Sequence, residues 1–110
     1  MMNISIDVQE MESIISAKLA GEIDAYTAPK VREALLPLAE QSGIKIVVDL
    51  TDVHYMDSTG LGVFVGLFKT LKKYDGKLVL KGMSGRLKRL FDITGLTDVM
   101  DVNTEVEGGV

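Results

Sequence analysis

Polar and apolar residues alternate from Asn3 to Val8, so Ile4, Ile6 and Val8 share one face of a predicted strand while Asn3, Ser5 and Asp7 share the other. A polar turn spans Glu10 to Ser13. Ser16-Ala17-Lys18-Leu19 then resumes the alternation, and the two segments read as an antiparallel pair; Gly21-Glu22-Ile23-Asp24 breaks it. The period changes after that. Thr27 is placed to cap a helix, and Pro29 suits its first turn because the missing N–H would have no partner there. Val31, Ala34, Leu35 and Leu38 recur at helical spacing. Since an interior proline costs about 3 kcal/mol, Pro37 predicts that this helix kinks or finishes just before it.

Ile44 to Leu50 is a short β-branched run, typical of an interior strand covered on both faces. A helix follows over about Thr59 to Tyr74, stopped by Asp75-Gly76, and Lys77 to Lys81 is the next strand. Ser84 caps a third helix that carries Leu87, Leu90 and Phe91 on one side, with Gly95 just past its end. A last strand-like piece lies around Met100 to Thr104, before a glycine-containing tail from about residue 105. No repeat, linker or low-complexity segment divides the chain, so residues 1–110 are expected to form one domain.

The predicted order is β-β-α-β-α-β-α-β. Strands separated by helices imply right-handed crossovers and parallel pairing. The expected fold class is α/β: a small mixed, mostly parallel sheet with an antiparallel first strand and helices packed on it.

Composition narrows the function. Hydrophobic residues make up 46% and charged residues 25%, as in an ordinary globular domain. The longest apolar stretch, Gly60 to Phe68, falls well short of the roughly 20 residues a membrane span needs. The first residues lack the basic start and apolar run of a signal peptide and read as a strand, so a cytoplasmic setting without membrane contact is expected. With no cysteine, disulfides and thiolate metal sites are excluded; with His54 the only histidine, so is a histidine-rich cluster. Net charge is −4 and no basic stripe tracks along the chain, which argues against direct nucleic-acid binding. Protein partners remain.

The topology also says where to look. The loop after the second strand holds Glu22, Asp24 and Tyr26, and the loop after the third holds Asp52, His54, Asp57 and Ser58. Both leave the carboxyl ends of parallel strands, the edge where open α/β sheets place their sites. Asp24 and Ser58 are therefore expected to be neighbours. On helix 59–74, Leu61, Phe64, Val65 and Phe68 should face the core, leaving Thr59, Gly62, Val63, Gly66, Thr70 and Lys73 opposite. That face begins small and uncharged, although an interior glycine costs roughly 0.5–1 kcal/mol relative to alanine. Small residues permit close approach, either by another helix of the same domain, a reading that suits Gly66, or by a docked protein, which better suits Thr59 and Gly62 beside Ser58. Lys69, Lys72 and Lys73 complement the helix carboxyl end, or contact an acidic partner.

At the corner Asp57-Ser58-Thr59-Gly60, either Ser58 or Asp57 can cap the helix. His54, Asp57 and Ser58 supply the residue types of a hydrolase triad, but they crowd one short segment without a G-x-S-x-G elbow, and His54 reads as a packing residue of the loop. No enzyme is expected. Gly60, Gly62 and Gly66 do not give the dinucleotide spacing, and no G-x-x-x-x-G-K-[ST] sequence occurs. The remaining chemical use for a serine at a helix start is as a phosphate acceptor; Thr59 is an adjacent hydroxyl that chemistry alone does not separate from Ser58. Asp24 either supports phosphoryl transfer to Ser58 or caps the helix that begins near Thr27.

Met56-Asp57-Ser58-Thr59-Gly60-Leu61-Gly62-Val63-Phe64 resembles the signature of the anti-sigma factor antagonists, members of the STAS domain family, with the general-stress sigma-B branch of Gram-positive bacteria nearest. Gly21-Glu22-Ile23-Asp24 and Leu90-Phe91-Asp92-Ile93-Thr94-Gly95-Leu96 resemble the family's other recurring segments, in the same order. The resemblance implies partner switching. The unmodified protein binds an anti-sigma factor that is also a serine kinase and so releases the sigma factor, a positive input to stress-response transcription. Phosphorylation on Ser58 abolishes binding, and a metal-dependent serine phosphatase reverses it. Because ATP belongs to the kinase, no cofactor of this chain is implied. The partner-binding residues expected on this reading are Asp24, Asp57, Ser58, Thr59, Gly62, Val63 and Gly66. The alternatives are a STAS scaffold in a larger signalling assembly and a nucleotide-binding regulatory module.

Overall fold

The computed structural model describes residues 3–95 and 101–102. They form strands β1 (Ile4–Met11) and β2 (Ile14–Ile23), helix α1 (Ala28–Ala39), strand β3 (Lys45–Met56), helix α2 (Ser58–Lys73), strand β4 (Lys77–Lys81), helix α3 (Gly85–Ile93) and strand β5 (Asp101–Val102). The element order is the expected one. Of the last predicted strand, residues 100, 103 and 104 lie outside the described residues, as does the tail from about 105. Among the described residues, no helix is long and apolar enough to cross a membrane.

β1 and β2 pair antiparallel, and the pairs β2–β3, β3–β4 and β4–β5 are parallel, so spatial order follows chain order. Because the order advances in one direction, right-handed crossovers bring every helix to the same face of the sheet. That face holds the core: Ile15, Ala17 and Leu19 from β2, Ile46, Val48 and Leu50 from β3, and Leu78 and Leu80 from β4 are buried. Val31 and Leu35 of α1, Phe64 and Leu67 of α2, and Phe91 of α3 complete it. Phe64 and Phe91 meet edge to face, ring centroids 6.2 Å apart, and tie α3 to α2.

Among the described residues no helix covers the other face of the sheet, which corrects the expectation that β3 is covered on both faces. Its burial alternates: Val47 and Asp49 are only half-buried between Ile46, Val48 and Leu50. A row of opposite charges crosses this open face in register, with Asp7 opposite Lys18, Lys18 opposite Asp49, and Asp49 opposite Lys81. Such cross-strand pairs each contribute roughly 0.2–1 kcal/mol. Partial burial pushes the Asp49 pKa up. Hydrogen bonds from the Thr51 hydroxyl at 2.6 Å and the Thr51 N–H at 2.9 Å, with the nearby Lys81 and Lys18, outweigh that and leave it below its ordinary value.

Three boundaries differ from expectation. β2 continues through Gly21 to Ile23, because glycine there takes φ +119° and lets the backbone of Asn3 come closer than a side chain would allow. α1 runs through Pro37 to Ala39; Glu33 and Pro37 are exposed, so the carbonyl that proline leaves unpaired can be solvated. β3 extends past Leu50 to Met56, placing Asp52 and His54 in a strand and not in a loop. It does so through two irregularities, between Lys18/Ala20 and Gly21/Glu22 of β2, where β3 carries the extra residue.

Candidate functional site

The two loops singled out above leave the sheet side by side. Ile23 and Met56 are the last paired residues of β2 and β3, and the Asp57 N–H donates to the Ile23 carbonyl at 3.2 Å. Asp24 and Asp57 each follow directly, which brings the Asp24 loop and the Ser58 corner to one edge. Gly60 allows α2 to close onto these strand ends: a Cβ there would lie 2.6 Å from Ile23 Cγ2 and 2.9 Å from Met56 Cγ. This contact fixes the depth and rotation of the helix start.

The rivalry for the cap of α2 is settled by geometry. Asp57 has an extended backbone, and its Oδ1 accepts hydrogen bonds from the N–H groups of Thr59 at 2.9 Å and Gly60 at 3.1 Å. Its carbonyl accepts from Leu61 N–H at 3.0 Å. Ser58 is therefore the first helical residue, and it is exposed; among the described residues, no hydrogen bond engages its hydroxyl. Asp57→Ala should accordingly lower unfolding free energy by about 1 kcal/mol, the usual loss for a helix cap. Ser58→Ala should change it by less than about 0.5 kcal/mol. Urea titrations of both variants at constant m-value check the pair, and equal losses would mean that Ser58 shares the capping.

Asp24 has a comparable post at the other loop. Its Oδ1 accepts from Tyr26 N–H at 2.9 Å and Thr27 N–H at 3.0 Å, and its carbonyl accepts from Ala28 N–H at 2.8 Å. Asp24 thus caps the turn that feeds α1, and of the two roles weighed for it the capping geometry is present. Thr27, expected to cap α1 with its own hydroxyl, does not. Buried in the turn, it donates instead to the Glu22 carbonyl at 2.8 Å and accepts from Asp24 N–H at 2.9 Å. Desolvation pushes the Asp24 pKa up, but the bonds from Thr27 and Tyr26 outweigh it and hold the carboxyl below its ordinary value. Asp24 is consequently ionised at neutral pH, a fixed negative charge beside the corner.

On α2 the open face is narrower and cleaner than the sequence suggested. Thr59 and Gly62 are exposed and Gly66 is half-buried, and a Cβ at Gly62 or Gly66 would meet nothing within 4 Å. No helix of the described domain covers Gly66, so that reading is set aside. Val63, expected on this face, is buried at 6% exposure and belongs to the core cluster. The core row is Leu61, Phe64, Leu67 and Leu71, while Val65 and Phe68 are only half-buried. A helix seated on a sheet and against α1 buries a broad stripe, wide enough here to take in Val63.

Three exposed large side chains lie outside the site residues expected from the sequence. Tyr26 in the Asp24 loop is 85% exposed, Tyr55 at the end of β3 is 41% exposed, and Ile93 at the end of α3 is 76% exposed. Tyr26 carried a signal, an aromatic in a loop already marked for function; Tyr55 and Ile93 carried none. Among the described residues, no group of three or more His, Asp or Glu side chains is placed to hold a metal ion.

Residues 5–108 match the model of the STAS domain. The chain is 58% identical over 109 residues to the anti-sigma-B factor antagonist of Bacillus subtilis strain 168, covering 99% of each chain. Among solved structures, it is similar to an anti-sigma factor antagonist from Mycobacterium paratuberculosis, at TM-score 0.77 and 25% identity over 96% of this chain and 90% of that one. It also shares its fold with the phosphorylated form of the Bacillus cell fate determinant SpoIIAA, at TM-score 0.73 and 22% identity over 92% of this chain and 93% of that one.

Proposed function

The chain belongs to the STAS domain family, among the anti-sigma factor antagonists, and from that premise we propose that it is a partner switch set by Ser58. In the unphosphorylated state it docks an anti-sigma factor that is also a serine kinase. The docking surface is the corner of Asp24, Asp57, Ser58 and Thr59 together with the open face at Gly62 and Gly66. Docking frees the sigma factor and raises stress-response transcription. The kinase transfers the terminal phosphoryl group of ATP to the Ser58 hydroxyl, releasing ADP, and the phosphorylated chain no longer docks. A serine phosphatase restores it. The chain acts by binding and performs no chemistry of its own.

The observation that carries this reading is the division of labour at the helix start. Asp57 satisfies the first N–H groups of α2, so the Ser58 hydroxyl is exposed and not needed by the fold. Phosphate brings about −1.5 to −2 charge and considerable bulk. The helix dipole stabilises that charge by ~0.3–1 kcal/mol, while the Asp57 carboxylate opposes it. These terms act in opposite directions on the fold, whereas an interface shaped for a hydroxyl beside Asp24 and Asp57 loses on both bulk and charge.

Incubation with the purified anti-sigma partner and ATP, followed by phosphopeptide mass spectrometry, tests the assignment. Phosphate is expected on Ser58, with incorporation lost in Ser58→Ala although Thr59 is intact. Continued incorporation at Thr59 in that variant would move the switch by one residue.

A further inference from the structure

Where α3 meets the carboxyl end of β3, the surface forms a largely apolar hollow of about 230 Å³ lined by Tyr55, Met56, Leu87, Leu90 and Ile93 together with Arg86 and Arg89. Met56 and Leu87 are buried and Leu90 is half-buried, but the exposure of Tyr55 and Ile93 means that the described residues leave part of its apolar lining uncovered. Helical spacing explains how one short helix builds it. Arg86, Arg89, Leu90 and Ile93 fall on one side at intervals of three or four residues. Leu87 and Phe91 point into the core. The acidic residue of α3, Asp92, lies on the remaining side with Lys88, 3.3 Å away. The groove side of α3 therefore carries arginines and no carboxylate, on a chain whose net charge is −4. Among the described residues, neither arginine has an ion pair.

We propose that this groove is a second contact for the same anti-sigma partner, and that it receives an apolar side chain flanked by carboxylates. The proposal rests on the function proposed above. Continuity favours one partner over two, since Met56 lines the groove and is followed directly by Asp57 and Ser58. Charge selects the occupant: guanidinium groups that line an apolar hollow without an ion pair among the described residues suit carboxylates, to which arginine donates in bidentate fashion. Exposed hydrophobic surface bordered by polar groups is the usual mark of a protein contact. Such an anchor contributes affinity that does not depend on Ser58, so the corner decides whether the complex forms and the groove helps decide with which protein.

Ile93→Asp and the double variant Arg86→Glu/Arg89→Glu test this by calorimetric titration with the purified anti-sigma partner, alongside melting curves and sedimentation of the chain alone. Both should melt as the parent does, because all three side chains are exposed. Each should bind roughly tenfold more weakly or worse. The deficit of the arginine variant should shrink as salt rises through the range where exposed charges are screened. Parent-like binding by both variants, with Gly62→Glu still defective, would overturn the groove while leaving the partner reading intact. Parent-like binding by all of them, Ser58→Asp included, would overturn both. If the variants bind the partner normally but abolish self-association of the parent chain, the occupant is a second copy and the proposal fails.

Discussion

Replacing Ser58 with aspartate is expected to leave the protein folded while lowering its affinity for the anti-sigma partner about a hundredfold, equivalent to ~2.7 kcal/mol. Both halves follow from the same few atoms. Ser58 is the first residue of α2, and its hydroxyl bonds nothing in the described domain, so the fold loses no contact when it is replaced. A carboxylate in the first turn gains from the helix dipole, and the neighbouring Asp57 carboxylate offsets part of that gain. The unfolding free energy should therefore stay within about 1 kcal/mol of the parent. On the binding side there is no compensation. The corner already presents Asp24, whose carboxyl pKa lies below its ordinary value through its bonds to Thr27 and Tyr26, and Asp57 at the cap. A further negative charge here must be desolvated against a partner surface that fitted a hydroxyl, and like charge in a desolvated site is costly. Circular dichroism melts and titration with the purified partner separate the halves. Ser58→Ala serves as the reference, with parent-like binding and no response to ATP. Unfolding of Ser58→Asp would show that the serine serves the fold and would remove the basis for reading it as a switch.

How much of this was legible beforehand depended on whether the determinant was local. Alternation in β1 and β2, the β-branched run of β3 and the helix-stop at Asp75-Gly76 are local, and they gave the element order correctly. The edge that gathers Asp24 and Ser58 was legible too, because parallel strands deliver their following loops to one side whatever the packing. What misled was global. The run from Ile44 to Leu50 reads as doubly buried, yet strand order that advances one way leaves the second face without a helix. The extension of β3 to Met56 depends on irregular pairing with β2, which has no local signature. Val63 was misplaced for a related reason. It is buried in the core cluster by packing against other elements, which the spacing of apolar residues along α2 alone does not specify. Asp57 and Ser58, by contrast, are both suitable caps by residue type, and the extended backbone at Asp57, with its side chain accepting from Thr59 and Gly60 N–H, separates them.

Gly62→Glu should stabilise the protein and disable it. Nothing lies within 4 Å of a Cβ built at Gly62, and the residue is exposed in the first half of α2. Removing an interior helical glycine recovers roughly 0.5–1 kcal/mol, which at this size raises the melting temperature by about 2–5 °C. Yet a glycine that weakens its helix and touches nothing in its own domain has no evident use to the fold. Its use is intelligible if another protein approaches the helix as closely as its bareness allows. A glutamate at that point holds the partner off and adds charge to an acidic corner, so the affinity should fall at least tenfold, ~1.4 kcal/mol. Gly60→Ala supplies the opposite case on the same helix. There the new methyl would press on Ile23 and Met56, with a loss of about 1–3 kcal/mol in stability and weaker binding only as a consequence of the displaced helix start. Gly62→Gln separates bulk from charge, since it keeps the size of the glutamate without its carboxylate. The two glycines thus make opposed predictions in melting curves and partner titrations. Parent-like affinity in a stabilised Gly62→Glu protein would exclude this stretch of α2 from the interface, leaving the glycines at 62 and 66 unexplained and the docking surface confined to the corner at Ser58.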